Sequence, residues 1–359
     1  MKKILFLIFI FKGKKRRFSL NQLRAFLECP LQSGAKRSLS ITEEEEDLTR
    51  RIHEPVSLEP LDEWQLLQKT FDLGILNTSE PDWNVLYEQM LHSNLFEGAL
   101  PASLFEDAMR RKHLEILTAW ERHLRELLQG MDWNGIQKAS RKYLQGALQE
   151  KHPFLILGKD SPGFRDIVRF EPVLNLNQEK EAKAAVTIRG ESEWIFFGPG
   201  DDCKLVHFTS RSIRPKQWIR LFLNGVLLTA SGLLPERTKV QLSCISGERS
   251  LSKDLLLPDR LTCRDYLVRL TDEMMDPSSA ELFPLEAVLA LEPDQISSEK
   301  WPQRLEQWLE EAFENSRSSF SSQYGPLPFP EDSKRPDDPK GTIEKRFGLL
   351  FQTIGNPAN

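Results

Sequence analysis

One stretch constrains this chain more than any other: a strand-period segment set between helix-period segments. Residues 185–198 read AVTIRGESEWIFFG and residues 203–210 read CKLVHFTS. Both alternate or run apolar as strands do. The GPGDD between them, residues 198–202, has hairpin-loop chemistry. Pro215 is placed to open a helix that buries Trp218, Leu221, Phe222 and Val226 and stops near Gly232. A further apolar strand, TKVQLSCIS, follows at 238–246, and DIVRFEPVLNL at 166–176 reads as a strand upstream. The chain therefore needs a sheet of non-local pairings, with helices to cover it.

Those helices are legible on both sides. Ser19 is a good N-cap for the apolar positions Leu20, Leu23, Phe26 and Leu27, with Pro30 and Gly34 read as closing the segment. LDEWQLLQKTFDLGIL (61–76) and DWNVLYEQMLHSNLF (82–96) have helical period. The clearest helix spans about Ser103 to Gln129. Its stripe is Leu114, Leu117, Trp120, Leu124, Leu127 and Leu128, with Gly130 as its stop. Helical period returns in TCRDYLVRLTDEMM (262–275) and WPQRLEQWLEEAF (301–313). Helices, β-meander, helix, strand, helices: this order predicts an α+β fold. The expected organisation is a basic and apolar extension over 1–17 and a main domain over 18–317. A Pro/Ser-rich linker over 318–341 and a C-terminal segment over 342–359 complete it, with Phe347 to Ile354 apolar enough to dock. Glu43 to Asp47 reads as a solvated edge.

Charge and cysteine narrow the function classes. Residues 1–17 carry seven Lys/Arg and no acid, and the rest holds 41 basic against 53 acidic residues. A body that acidic grips duplex DNA weakly on its own, because nonspecific affinity comes from phosphate neutralisation. Cys29, Cys203, Cys244 and Cys263 are far apart with no CxxC spacing. That argues against a zinc ribbon or redox dithiol, and although four cysteines could pair, their low density favours free thiols in a reducing, cytoplasmic setting. The run Ile4 to Phe11 starts like a signal peptide. A basic cluster, Lys12 to Arg17, follows where a small-residue cleavage site belongs, and the run is too short to span a bilayer. It reads as an upstream extension, with no membrane partner expected.

The chemistry-bearing patterns are few. No phosphate-binding Gly-x-x-x-x-Gly-Lys-Ser/Thr loop and no Gly-x-Ser-x-Gly elbow occurs. The histidines at 53, 92, 113, 123, 152 and 207 read as surface or core residues; His113 and His123 share a helix but not metal-ligand spacing. One arrangement remains. A metal-dependent nuclease can place an acid on one strand and an acid-x-lysine on the next, so that a cation and an ammonium polarise water and stabilise charge on phosphate. Here Gly190, Glu191, Ser192 and Glu193 occupy the first strand, but His207 stands at the second acid position and Thr209 at the lysine position. A threonine supplies no positive charge, and one carboxylate with an imidazole is a poor magnesium site. Asp201 and Asp202 read as solvated turn residues.

FSLNQLRAFLECP, residues 18–30, resembles the opening helix of the RecB/AddB-like nuclease domains of the PD-(D/E)XK superfamily. EPVSLEPLDEWQLLQKTFDLGI (54–75), LFEGALPASLFEDAMRRKHLEIL (95–117) and IRGESEWIFFGPGDDCKLVHFTSRSIRPKQWIRLFLNGVLLTASG (188–232) resemble, in order, the C-terminal part of the RecC family. RecC is the gamma subunit of exodeoxyribonuclease V, the RecBCD helicase–nuclease; the likeness spans residues 18–315. It implies a degenerate PD-(D/E)XK (restriction-endonuclease-like) core, with a β-meander flanked by helices and no catalytic residues at Glu193, His207 and Thr209. It further implies a non-catalytic subunit or fragment without cofactor. Its partners are then RecB-like and RecD-like subunits and double-stranded DNA ends, in DNA repair and recombination. The chain is much shorter than RecC and stands as a fragment, split gene or shortened relative, so recognition of the Chi hotspot does not carry over. Some AddB-like relatives hold an iron–sulfur cluster through a cysteine at the Cys29 position and three C-terminal ones. None of those has a counterpart after Cys263, so Cys29 reads as a buried helix-end residue. The DNA-facing candidates are Arg211, Arg214 and Lys216. The alternative is an active metal-dependent DNA exonuclease using Glu191, Glu193, Asp201 and Asp202.

Overall fold

The computed structural model describes residues 16–38, 58, 60–76, 80–92, 104–129, 133, 136, 166–168, 173–176, 186–190, 192–197, 203–234, 237–279, 281 and 337–354. The expected features at 1–15, Glu43–Asp47, 198–202, 301–313 and 318–336 lie outside these residues.

The fold is mixed α and β. The larger sheet has the order β2 (Asp166–Val168), β5 (Trp194–Phe197), β6 (Cys203–Thr209), β7 (Lys239–Ser246), β8 (Ser250–Leu256). β5 and β6 are antiparallel, with Phe197 opposite Cys203 and Trp194 opposite Val206. β6 and β7 are parallel, joined by the crossover helix α6 (Pro215–Ala230). β2 and β8 pair antiparallel at the two edges. A smaller sheet contains β1 (Arg16–Ser19), β4 (Val186–Arg189) and β3 (Val173–Asn175), with β1 parallel to β4.

β5 and β6 are buried at every position. Helices cover both faces of these strands, which is why their sequences run apolar instead of alternating. One face, with Ile195, Leu205, Leu242 and Cys244, packs on α1 (Leu20–Glu28), α6, α7 (Arg260–Met275) and α8 (Pro339–Ile354). The other, with Trp194, Phe196, Val206, Phe208 and Ile245, packs on α3 (Pro60–Leu76), α4 (Trp83–Leu91) and α5 (Leu104–Leu127). Each fully buried large apolar side chain contributes roughly 1.5–3 kcal/mol. On the second face Phe71 stacks on Trp83 at 5.1 Å and meets Phe208 at 4.6 Å between ring centroids.

Several local expectations are corrected. α1 ends at Glu28 with Cys29 as its cap, so Pro30 follows its end as expected, but Gly34 does not close the segment and Pro30 has a second role. It opens α2 (Pro30–Ser38), inside which Gly34 lies, because proline suits a first helical turn where no N–H bond is required. The stretch 185–198 is not one strand; the chain leaves one sheet after β4 and joins the other at β5. Gly190 makes that passage, since a Cβ there would sit 2.6 Å from Leu20 Cβ. The segment 166–176 likewise divides between the sheets as β2 and β3. α5 ends at Leu127, and Gln129, in the left-handed region (φ 59°), turns the chain one residue before the expected glycine. β8 carries no clear strand signal: it is an edge with exposed Lys253 and Asp254, a composition that discourages further pairing. β1 begins at Arg16, inside the stretch read as an extension. The expected linker overlaps α8, which starts at Pro339 and buries Ile343, Phe347 and Leu350. There Arg346 is 1 % exposed; its Nε donates to Glu273 Oε1 at 2.8 Å.

Ser19 and Gln22 form the reciprocal capping box that starts α1. Cys29 is the buried C-cap residue of that helix, and all four cysteines are buried. No described helix is long and apolar enough to cross a membrane.

Candidate functional site

The β5–β6 register sets the site. One position beyond the Trp194–Val206 pair, Glu193 and His207 come face to face. Both are almost fully buried, and His207 Nδ1 lies 3.1 Å from Glu193 Oε2. The alternation of β6 puts Val206 and Phe208 on the α3–α5 face and turns His207 and Thr209 toward α1 and α6. The Glu193 amide donates to Asn224 Oδ1 at 3.1 Å, and Asn224 Nδ2 donates to the Arg220 carbonyl at 2.9 Å. Thus α6 fixes the residue just before β5.

Arg220, also on α6, donates from Nε to Glu193 Oε1. A guanidinium and an imidazole therefore occupy the two oxygens of the one acid at this position. These residues do not fit a magnesium ion, which requires several hard oxygen ligands and would be repelled by the arginine. Among the described residues, no three His, Cys, Asp or Glu side chains are grouped to share a metal. Glu191, Asp201 and Asp202 lie outside the described residues. Burial holds the His207 pKa below its ordinary value, against the pull of Glu193. The imidazole is thus neutral at pH 7, and its Nδ1–H donates to the carboxylate.

Two tryptophans finish the strand at this point. Trp64 Nε1 donates to the Phe208 carbonyl at 3.3 Å, and Trp120 Nε1 donates to the Thr209 carbonyl at 3.2 Å. They satisfy backbone acceptors on the last two residues of the strand, beyond its final pair with β5. Thr209 Oγ1 accepts the Arg211 amide at 3.3 Å and turns the chain toward α6.

An open groove runs over this site. α1 contributes Arg24, α3 contributes Trp64, and Arg211, Arg214, Lys216 and Arg220 come from the β6–α6 segment. The structure thus brings the candidates Arg211, Arg214 and Lys216 to the same groove as His207 and Thr209. Sequence reasoning missed Arg24, Arg220 and Trp64. Arg220 had a signal: it is a lone charge between Ile219 and a run, 221–230, that is buried throughout. A charge in such a setting implies a buried partner. Arg24 had none, because a charged residue on a short amphipathic helix is ordinary.

The family model of the RecC C-terminal domain matches residues 15–315. The chain belongs to that family and is so related to RecC, a subunit of the RecBCD complex. A comparison with curated proteins finds no match.

Proposed function

We propose that this chain is a non-catalytic, RecC-like module that guides DNA during end processing by a helicase–nuclease. Its core is a degenerate PD-(D/E)XK fold. The arrangement of hairpin β5–β6, crossover α6 and parallel β7 supports that reading, as does family membership. One observation carries the loss of catalysis: the Glu193 carboxylate is held by Arg220 and His207 where a nuclease would use it for a cation. Thr209 replaces the ammonium that would stabilise charge developing on the attacked phosphate. Arg211, Arg214 and Lys216 face the DNA, and RecB-like and RecD-like subunits supply the motor and the cleavage. The setting is the cytoplasm, in double-strand break repair and homologous recombination.

Co-expression with RecB-like and RecD-like subunits tests this. The chain is expected to co-purify with them, and charge reversal at Arg211, Arg214 and Lys216 is expected to weaken binding of duplex ends by the assembly. Failure to associate overturns the partner assignment. Magnesium-dependent cleavage of linear DNA by the chain alone, abolished by Glu193→Ala, overturns the non-catalytic one.

A further inference from the structure

The groove holds more cation than its acids neutralise, and two of its arginines differ from the rest. Arg211, Arg214 and Lys216 are exposed. Arg24 and Arg220 are recessed, with side chains 27 % and 25 % exposed. They belong to different helices, α1 and α6, and line the groove together. Arg24 Nε is 3.2 Å from Glu28 Oε1, yet it is buried and makes no hydrogen bond. Arg220 is tied through Nε to Glu193 and lies over the Trp64 ring, 5.3 Å from its centroid. No hydrogen bond to a described residue engages its Nη amines. Desolvation and the nearby Arg220 charge hold the Arg24 pKa below its ordinary value. Two guanidiniums are therefore held near each other at a cost that an anion between them would offset.

We infer that Arg24 and Arg220 form a clamp for one backbone phosphate of a single nucleic-acid strand, bound without hydrolysis. Guanidinium forks match phosphate oxygens in pairs, and a clamp built on two helices fixes the phosphate's position. Glu193 and His207 are positioning residues: His207 bonds Glu193, and Glu193 holds Arg220 by Nε, which leaves its Nη edge toward the groove. The single strand follows from the recession of the two arginines. A flexible strand can lower one phosphate into the groove, while the stiff backbone of a duplex meets the exposed Arg211, Arg214 and Lys216 first. Trp64 offers an aromatic surface of the kind that single strands use. The nucleic-acid identity of the ligand rests on the guiding role proposed above; the anion clamp itself does not.

The test uses the full chain with three probes: inorganic phosphate, labelled oligothymidylate and a labelled duplex of equal length. Phosphate is expected to raise the melting temperature of the wild type but not of Arg24→Gln. Oligothymidylate is expected to bind more tightly than the duplex. Arg24→Gln and Arg220→Gln are each expected to weaken it about tenfold, the effect of one lost charge-assisted contact. Each is also expected to reduce the salt slope by about 0.7. Arg24 makes no bond to Glu193, so Arg24→Gln decides the matter should Arg220→Gln fail to fold. Unchanged oligothymidylate binding in folded Arg24→Gln overturns the clamp. If binding is also lost on reversing Arg211, Arg214 and Lys216, the guiding role survives that failure. Equal binding of duplex overturns the single-strand assignment, and absence of both phosphate and strand binding overturns the inference outright.

Discussion

Two buried glutamate–histidine pairs lie on opposite faces of the same sheet. On the α3–α5 side, Glu63 Oε1 is 3.2 Å from His113 Nε2, and His113 Nδ1 is 2.8 Å from the Tyr87 hydroxyl. Lys112 Nζ donates to the same Glu63 oxygen at 2.6 Å. On the α1–α6 side, Glu193 meets His207 and Arg220. The chemistry is alike but the surroundings differ. Glu63, Tyr87 and His113 come from three helices, and the imidazole bridges a phenol and a carboxylate inside the packing. Only the exposed Lys112 reaches solvent, so this network staples α3, α4 and α5. In the other pair the countercharge is an arginine with one edge in a basic groove. A buried acid–base pair therefore marks a functional site only when its remaining valence faces something that can bind.

The largest expected effect separates the two as staple and site. Glu63→Ala is expected to cost about 3 kcal/mol, because it leaves a buried imidazole without its acceptor and uncouples three helices. Urea unfolding measures it, and oligothymidylate binding per folded molecule is expected to stay at the wild-type level. Glu193→Ala is expected to cost less, about 1–2 kcal/mol, since Arg220 can turn outward while His207 loses its acceptor. Binding of oligothymidylate changes in this variant because Arg220 is no longer held. Equal stability losses, or a binding defect in Glu63→Ala, would erase the distinction.

The pairs are also expected to respond in separate pH windows. Burial lowers the His207 pKa, so the unfolded chain binds the proton first. The stability from neutral His207 is fully present above about 6.5 and is lost as pH falls below it. Glu63 is pulled down to about 2, chiefly by its hydrogen bond with His113. Its contribution is present above about 4.3 and is lost as pH falls through about 2. Urea midpoints are expected to fall in both windows. His207→Gln removes the upper slope and Glu63→Gln the lower one; a single shared slope would refute the separation.

The smallest effect concerns the phenol. Tyr87→Phe removes the O–H donor to His113 Nδ1 and leaves a buried acceptor, at a cost of about 1 kcal/mol. A neutral result would mean that Tyr87 adds nothing and that the staple rests on the contacts of Glu63 with His113 and Lys112.

Local chemistry made much of this fold readable. Ser19 as an N-cap, Pro215 as a first-turn residue, the long stripe of α5 and the β5–β6 hairpin depend on neighbours a few residues away. The misreadings occur where distant chain decides. Pro30 follows the end of α1 and also begins α2, and only the second of these was hidden in the local sequence. Gly190 sits between two apolar runs that look continuous, until Leu20 crowds the backbone from another element. β1 is four residues long and gains its identity from pairing with β4, some 170 positions later.

The candidate site divides in the same way. The sequence alone determined that Glu193, His207 and Thr209 fall on or beside neighbouring strands, and that basic residues follow at 211, 214 and 216, because residue type and strand spacing are linear facts. Only the tertiary structure decided that Arg220 would neutralise Glu193 and that Arg24 would join it across the groove. Ion pairing depends on distance in space and on the loss of water around the pair. Neither quantity is written in the spacing of residues 24, 193 and 220 along the chain.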